Sequence, residues 1–351
     1  MRFCDCGEDG WCPRYRRQMG GRLRELCAGV NVDLGTAAAF REQWLREAGE
    51  PCSGAEAPQP LLLKTDQAVG DAVAMTAAIY SLHRAHPGKY VTAVESRWPE
   101  VFAHNPDVSA RVPEAAEVQM HYPAIHQSNE RGIHFMQGWC EFLGMALDIP
   151  VPLLTNRPHL YFVDPEPPTE DFWLVCSGGK RDFTSKLWGW YNYQEVIDQL
   201  SDRVRFVQVG GAADDHKRLS GTTDMVGMTT LRGLFRLARR ARGILCGVSL
   251  LMHVAAALSK PAVVIAGGRE PVQWNAYPKQ HYLHTIGMLP CHDTNGRLGG
   301  ACWRARVVPL GDSAALDKEP CERPTKIFDT MPECMTLIRP DRVAELILDY
   351  R

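Results

Sequence analysis

The stretch from Cys176 to Trp188 reads CSGGKRDFTSKLW and gathers two glycines, two lysines and three hydroxyl side chains just past a predicted strand. Glycines let backbone N–H groups approach a phosphate, and lysine neutralises its charge. The Gly-Lys-Ser/Thr of a Walker A loop is missing, so Lys180 and Lys186 are either phosphate contacts or solvated loop charges. From Ile244 to Gly268 the chain reads ILCGVSLLMHVAAALSKPAVVIAGG, a strand, a turn, a helix carrying His253 and a second strand. At the Gly247-Val248-Ser249 turn the first helical N–H groups lack intrahelical partners and suit a diphosphate, unless the segment is an ordinary buried βαβ unit. Val69-Gly70-Asp71 follows another strand and opens a helix. A carboxylate there is either a helix cap or a general base at the mouth of an open α/β sheet.

Cysteine supplies a second chemistry. Cys291, Cys302, Cys321 and Cys334 lie in a loop-rich stretch with little apolar period of its own. Four thiolates suffice for a tetrahedral zinc or iron site, which would explain how such a stretch becomes ordered. No CxxC pair is present, and scattered buried thiols are the alternative. Cys4, Cys6, Cys12 and Cys27 form a second candidate cluster near the start, whereas Cys52, Cys140, Cys176 and Cys246 read as small buried or loop residues.

The elements that must position these groups follow from length and pattern. At 351 residues, 45% hydrophobic and 23% charged, the chain suits two globular α/β domains. A Cys-containing appendage is expected over 1–60, a first Rossmann-like domain over 61–165, a second over 166–287, and a Cys-rich tail with a closing helix over 288–351. Strands are predicted over Leu61–Thr65, Tyr90–Glu95, Phe172–Cys176 and Phe206–Gly210, and helices over Ala72–His86, Tyr193–Leu200, Leu231–Ala241 and Pro340–Tyr350. FVDPEPPTED, Phe162 to Asp171, breaks both periods and marks the linker. Two open parallel sheets facing a cleft is the architecture expected.

Composition excludes several functions. A net charge of −2 gives no field that would recruit nucleic acid, and the RLARRAR run ending at Arg242 reads as the solvated side of an amphipathic helix. No apolar run is long enough to span a bilayer and no secretory signal is present, so a cytoplasmic protein with reduced thiols is expected. No G-x-G-x-x-G with a following acid supports a nicotinamide-dependent oxidoreductase.

Taken together, GDAVAMTAAIYSLHRAHP from Gly70, Ser185-Lys186-Leu187-Trp188, VGGAADD from Val209, Gly227-Met228-Thr229-Thr230-Leu231 and the His253 to Leu258 run resemble glycosyltransferase family 9, the ADP-heptose:lipopolysaccharide heptosyltransferase group, over about Leu61 to Gly287. HYPAIHQSN from His121, His134-Phe135 and AGGREPVQW from Ala266 suit a divergent branch. The resemblance implies a GT-B fold with an ADP-sugar held by the C-terminal domain and a saccharide or protein acceptor held by the N-terminal one. It implies Asp71 as the base that deprotonates the acceptor hydroxyl for inverting transfer and Lys186 as the cation at the departing diphosphate, with no catalytic metal. Gly178, Gly179, Lys180, Thr184, Ser249, His253, Gly267, Gly268, Arg269 and Glu270 are the implied donor contacts, with Met228 and Thr229 at the adenine and Gly210, Gly211, Asp214 and Asp215 near the ribose. Gly70, His121, His126 and His134 are the implied acceptor side. Where heptosyltransferases carry Asp-Thr-Gly before the helix, this chain has Val248-Ser249-Leu250, which leaves the donor sugar open. The four-cysteine tail is similar to the iron-binding finger of autotransporter heptosyltransferases. An inverting transferase, in which a homo-oligomer is compatible, is therefore expected. A metal-stapled sugar-nucleotide-binding or scaffold protein without catalysis is the alternative.

Overall fold

In the strand Gln59–Thr65 (β1) every second side chain turns inward, so Leu61 and Leu63 are wholly buried. A computed structural model of the chain describes residues 57–121, 132–291, 301–327 and 329–350. The expected cluster of Cys4, Cys6, Cys12 and Cys27, and His126, lie outside the described residues. β1 is the centre of a parallel three-stranded sheet, flanked by Tyr90–Ser96 (β2) and Ala116–Gln119 (β3). Between the first two strands runs the helix Val69–Ala85 (α1), followed after β2 by the turn Pro99–Phe102 (α2) and after β3 by Phe135–Leu147 (α3). α1 starts three residues earlier than the apolar period predicted and carries Asp71 in its first turn.

The second sheet holds six parallel strands. They are Phe172–Cys176 (β4), Arg205–Gln208 (β5), Thr222–Asp224 (β6), Gly243–Gly247 (β7), Ala262–Gly267 (β8) and Gln280–His284 (β9), in the spatial order β6-β5-β4-β7-β8-β9. That is the doubly wound dinucleotide-binding order, with its topological switch between β4 and β7. Helices Trp190–Leu200 (α4), Leu231–Arg240 (α5) and Leu250–Ala257 (α6) and the turn Val272–Asn275 (α7) connect them. All six residues of β8 are buried, as expected where both faces of a sheet are covered. Beyond β9, Pro324–Ile327 (β10) and Asp329–Pro332 (β11) form an antiparallel hairpin, followed by Glu333–Thr336 (α8) and the closing helix Pro340–Asp349 (α9).

Three expectations change. The tail does not stand apart, because α9 packs on α4, and Met331, Cys334, Met335, Val343 and Ile347 enter the core beneath the second sheet. The basic run on α5 is only in part a free solvated face, because Arg239 is buried and the exposed arginines are paired. Arg236 pairs with Asp164 at 3.2 Å, Arg239 with Glu166 at 3.0 Å, Arg240 with Glu170 at 2.6 Å and Arg242 with Asp171 at 3.0 Å, so the acids of the interdomain stretch neutralise it. Most of these pairs are exposed and contribute at most about 1 kcal/mol each, but Arg239 is buried and also donates to the Pro165 carbonyl. Finally, the two sheets meet through helices: α1 packs directly on α6, and one apolar core runs through both.

Gly70 permits that contact. A Cβ there would stand 3.2 Å from the His253 Cδ2 and 3.5 Å from the Leu250 Cα, so Gly70, expected at the acceptor, instead serves the packing of α1 against α6. Gly70→Val is expected to lower stability by about 1–3 kcal/mol, read as a reduced urea midpoint at unchanged m value. His253 lies 6% exposed at this contact, with Nδ1 hydrogen-bonded to the Tyr277 hydroxyl at 2.7 Å, and burial lowers its pKa to about 3. The folded protein thus keeps this imidazole neutral while the unfolded chain protonates it below about pH 6.5. Its contribution is complete above that pH and is lost toward pH 3, by up to about 1.4 kcal/mol per pH unit. Urea midpoints measured from pH 7 to 5 should fall, and His253→Gln should flatten the fall; an equal slope in the variant would contradict the assignment.

Candidate active site

The carboxyl ends of β4 and β7 flank the switch point, and the loops leaving them carry the chemistry. After β4 the chain turns through Gly178 and Gly179 into a short 3₁₀ stretch, Arg181–Lys186, that ends on Lys186. The Lys186 ammonium pairs with Glu270 at 2.7 Å, and its side chain passes the Phe183 ring at 5.4 Å. Glu270 is 2% exposed and accepts further bonds from Arg269 and from the Asn275 amide. Burial works to raise the Glu270 carboxyl, but Lys186 and Arg269 outweigh it and hold the group below the usual carboxylate range. For Lys186 burial prevails and lowers the ammonium, with Glu270 opposing. A cation held by one ionised carboxylate beside the sheet's carboxyl edge suits a diphosphate.

Asp71 belongs to the same crevice. In the first turn of α1, next to Gly70 and its contact with His253, the Asp71 charge opposes the lowering of Lys186 and adds to the raising of Tyr277 by burial. Tyr277 in turn meets His253, and the His134 ring stands edge-on to it at 4.8 Å. His134 also caps α3, accepting from the Met136 N–H at 3.1 Å. Asp71, Lys186, Glu270, His253 and His134 are thus brought together, whereas His121 is exposed and edge-on to Phe142.

Other expected contacts serve the protein itself. A Cβ on Gly178 would strike the Asp215 carbonyl, and one on Gly210 the His216 imidazole, so these two glycines make room for the loop carrying Asp214 and Asp215. Gly179 and Gly211 hold that loop by accepting from the Asp215 and Asp214 N–H groups, each at 3.1 Å. Gly267 lies against Met335, and the Gly268 carbonyl accepts from the Cys302 N–H at 3.1 Å. Thr184 accepts from the Val307 N–H at 2.9 Å. These bonds use carbonyls and the Thr184 oxygen as acceptors, which fixes the loops without engaging the N–H and O–H donors expected at a phosphate. Lys180 is exposed, Met228 is 69% exposed, Thr229 is half-buried, and the Ser249 hydroxyl is buried at the start of α6 without a hydrogen-bond partner. Arg269 and Glu270 form the ion pair that adjacency allowed, extended by Lys186 into a buried cluster.

Sequence reasoning missed His216 and Asn275 and gave Tyr277 no role, although Ala276-Tyr277-Pro278 belongs to the same resembling block as AGGREPVQW; for Asn275 proximity to the Arg269-Glu270 pair was the signal.

Cys291, Cys302, Cys321 and Cys334 line one cavity of about 20 Å³, with Ser185, Arg269 and Arg304 among its walls. About 10–15 Å³ holds one water-sized occupant, so one ion fits. Burial pushes all four thiols up, Cys334 to about 12, and each lies close enough to sense another. Among the described residues no group of three or more His, Cys, Asp or Glu stands at metal-ligand spacing. Four thiols around one cavity are the donor set a tetrathiolate site uses, and loading such a site would require them to lose protons and draw closer.

The family model for glycosyltransferase family 9 (heptosyltransferase) matches residues 89–298. Lipopolysaccharide heptosyltransferase 2 of Salmonella typhimurium is 28% identical over 146 residues, 36% of this chain and 42% of that protein, so the matched part spans less than half of this curated relative. Among solved structures, the iron-containing dodecameric glycosyltransferase TibC from enterotoxigenic E. coli superposes with a TM-score of 0.56 at 17% identity, covering 84% of this chain and 76% of TibC. E. coli ADP-heptose lipopolysaccharide heptosyltransferase II gives 0.51 at 17% identity, covering 83% and 98%. At such identities the likeness is one of fold, two Rossmann-like domains in the GT-B arrangement. With three-fifths of its residues under the family model and that fold beneath them, the chain belongs to glycosyltransferase family 9.

Proposed function

We propose that the protein is an inverting glycosyltransferase that moves a sugar from an ADP-linked donor to a hydroxyl of a saccharide or protein. One juxtaposition supports the reading: Gly70, next to Asp71, packs on Leu250 and His253 of α6, and the Lys186 carbonyl lies against Gly247 just before α6, so both groups stand at the same end of that helix. A carboxylate within hydrogen-bond reach of an acceptor hydroxyl takes its proton as the oxygen bonds to the anomeric carbon. The bond from that carbon to the phosphate breaks, its electron pair leaves on ADP, and Lys186 meets the departing charge. Attack opposite the leaving group inverts the anomeric centre. Arg269 and Glu270 keep Lys186 in place, and the buried His253–Tyr277 pair fixes the floor beneath Asp71.

TibC has been solved with ADP-D-β-D-heptose, which supports an ADP-heptose donor for this chain too. Cys291, Cys302, Cys321 and Cys334 would hold a metal whose chemistry there is structural. TibC's iron favours iron over zinc, and its dodecamer favours self-association. No described helix is long and apolar enough to cross a membrane, and the expected setting is a reducing cytoplasm.

Asp71→Asn is expected to keep ADP affinity within about twofold while cutting transfer from the ADP-sugar by about 10²–10⁴. Full activity in that variant would remove Asp71 as the base. ADP should raise the melting temperature of the protein and Lys186→Ala should sharply reduce the shift; an undiminished shift would reject the phosphate role. Elemental analysis should find one metal per chain, lost in Cys302→Ser, and undiminished content in the variant would overturn the tail site.

A further inference from the structure

Two residues in the wall of the thiol cavity are chain neighbours of the Lys186–Glu270 pair. Ser185, immediately before Lys186, and Arg269, immediately before Glu270, both line the cavity formed by the four cysteines. Both side chains reach the same short piece of tail. The Ser185 hydroxyl donates to the Arg304 and Ala305 carbonyls, and the Arg269 Nε donates to the Arg304 carbonyl at 2.9 Å. The backbone agrees, since the Ser185 N–H donates to the Ala305 carbonyl at 3.1 Å and the Cys302 N–H to the Gly268 carbonyl at 3.1 Å.

Between Cys302 and Arg304 lies Trp303, in the left-handed region at φ 57°, a conformation that bulky residues rarely adopt. Its ring stands edge-on to Trp274 at 4.5 Å and beneath the Arg269 guanidinium at 5.5 Å. These contacts hold the segment on both sides and give a displacement of Cys302 a route through the Arg304 carbonyl to Ser185 and Arg269, the chain neighbours of Lys186 and Glu270. The fully buried Arg306 guanidinium, paired with Asp182, Asp312 and Asp317, fastens the next turn of the tail to the same loop.

We infer that Ser185 and Arg269 are positioning residues that couple the four-thiol site to the diphosphate site, so that metal loading and ADP binding strengthen each other. The inference rests on the donor and metal sites proposed above. Because coupling between two equilibria is reciprocal, a factor gained by ADP on metal loading must also be gained by the metal on ADP binding.

Zinc affinity is measured by competition with a chromophoric chelator, with and without saturating ADP, on the full chain and on Ser185→Ala. ADP is expected to tighten zinc binding at least about fivefold in the parent protein. In Ser185→Ala the factor should fall to near one while the protein still binds one zinc. Arg269→Lys, which keeps a cation beside Glu270 but changes the group that reaches Arg304, should also reduce it. A linkage that merely reports folding would persist in Ser185→Ala, and that result overturns the inference, as does a factor of one in the parent. Zinc binding without any ADP binding would instead refute the donor site, and ADP binding without zinc would refute the metal site; either result removes the coupling with it.

Discussion

One buried carboxylate organises this protein's chemistry. Glu270 lies almost without solvent contact, held by Lys186, Arg269 and Asn275. An isolated carboxylate there would cost several kcal/mol, and two cations with an amide offset that cost only while their geometry holds. The loop after β4, the end of β8 and the turn α7 must therefore stay in register with one another. The tail enforces this, closing over Ser185 and Arg269 with its own carbonyls.

The second constraint is the direct packing of α1 on α6. It joins the two sheets and brings the first turn of α1, which carries Asp71, against the start of α6. His253 stands at that junction as a neutral imidazole, so the interface that positions the site also responds to acid.

Much of this was legible in the sequence. Unbroken apolar runs such as Ala262–Gly267 announced buried parallel strands, the prolines of Phe162–Asp171 marked the crossing between sheets, and Asp71 stood out by its place after a glycine and Lys186 by the resemblance its Ser-Lys-Leu-Trp run carries. What the pattern left hidden was long-range. Gly178 and Gly210 read as phosphate-loop glycines, yet their missing side chains accommodate the Asp215 carbonyl and His216, a demand visible only once β4 and β5 lie side by side. Similarly, the arginines of α5 showed a charge stripe but not the acids that neutralise it some seventy residues earlier. The tail's loops showed no period because turns, ion pairs and the thiol cavity hold them, not an amphipathic face.

The central claim is that Glu270 acts on the donor through Lys186. A double-mutant cycle on ADP affinity, with Lys186→Ala, Glu270→Gln and the pair, tests it most directly. If Glu270 works by holding Lys186, the double variant should bind ADP no more weakly than Lys186→Ala alone, giving a coupling of about 1 kcal/mol or more. Additive losses would contradict the account.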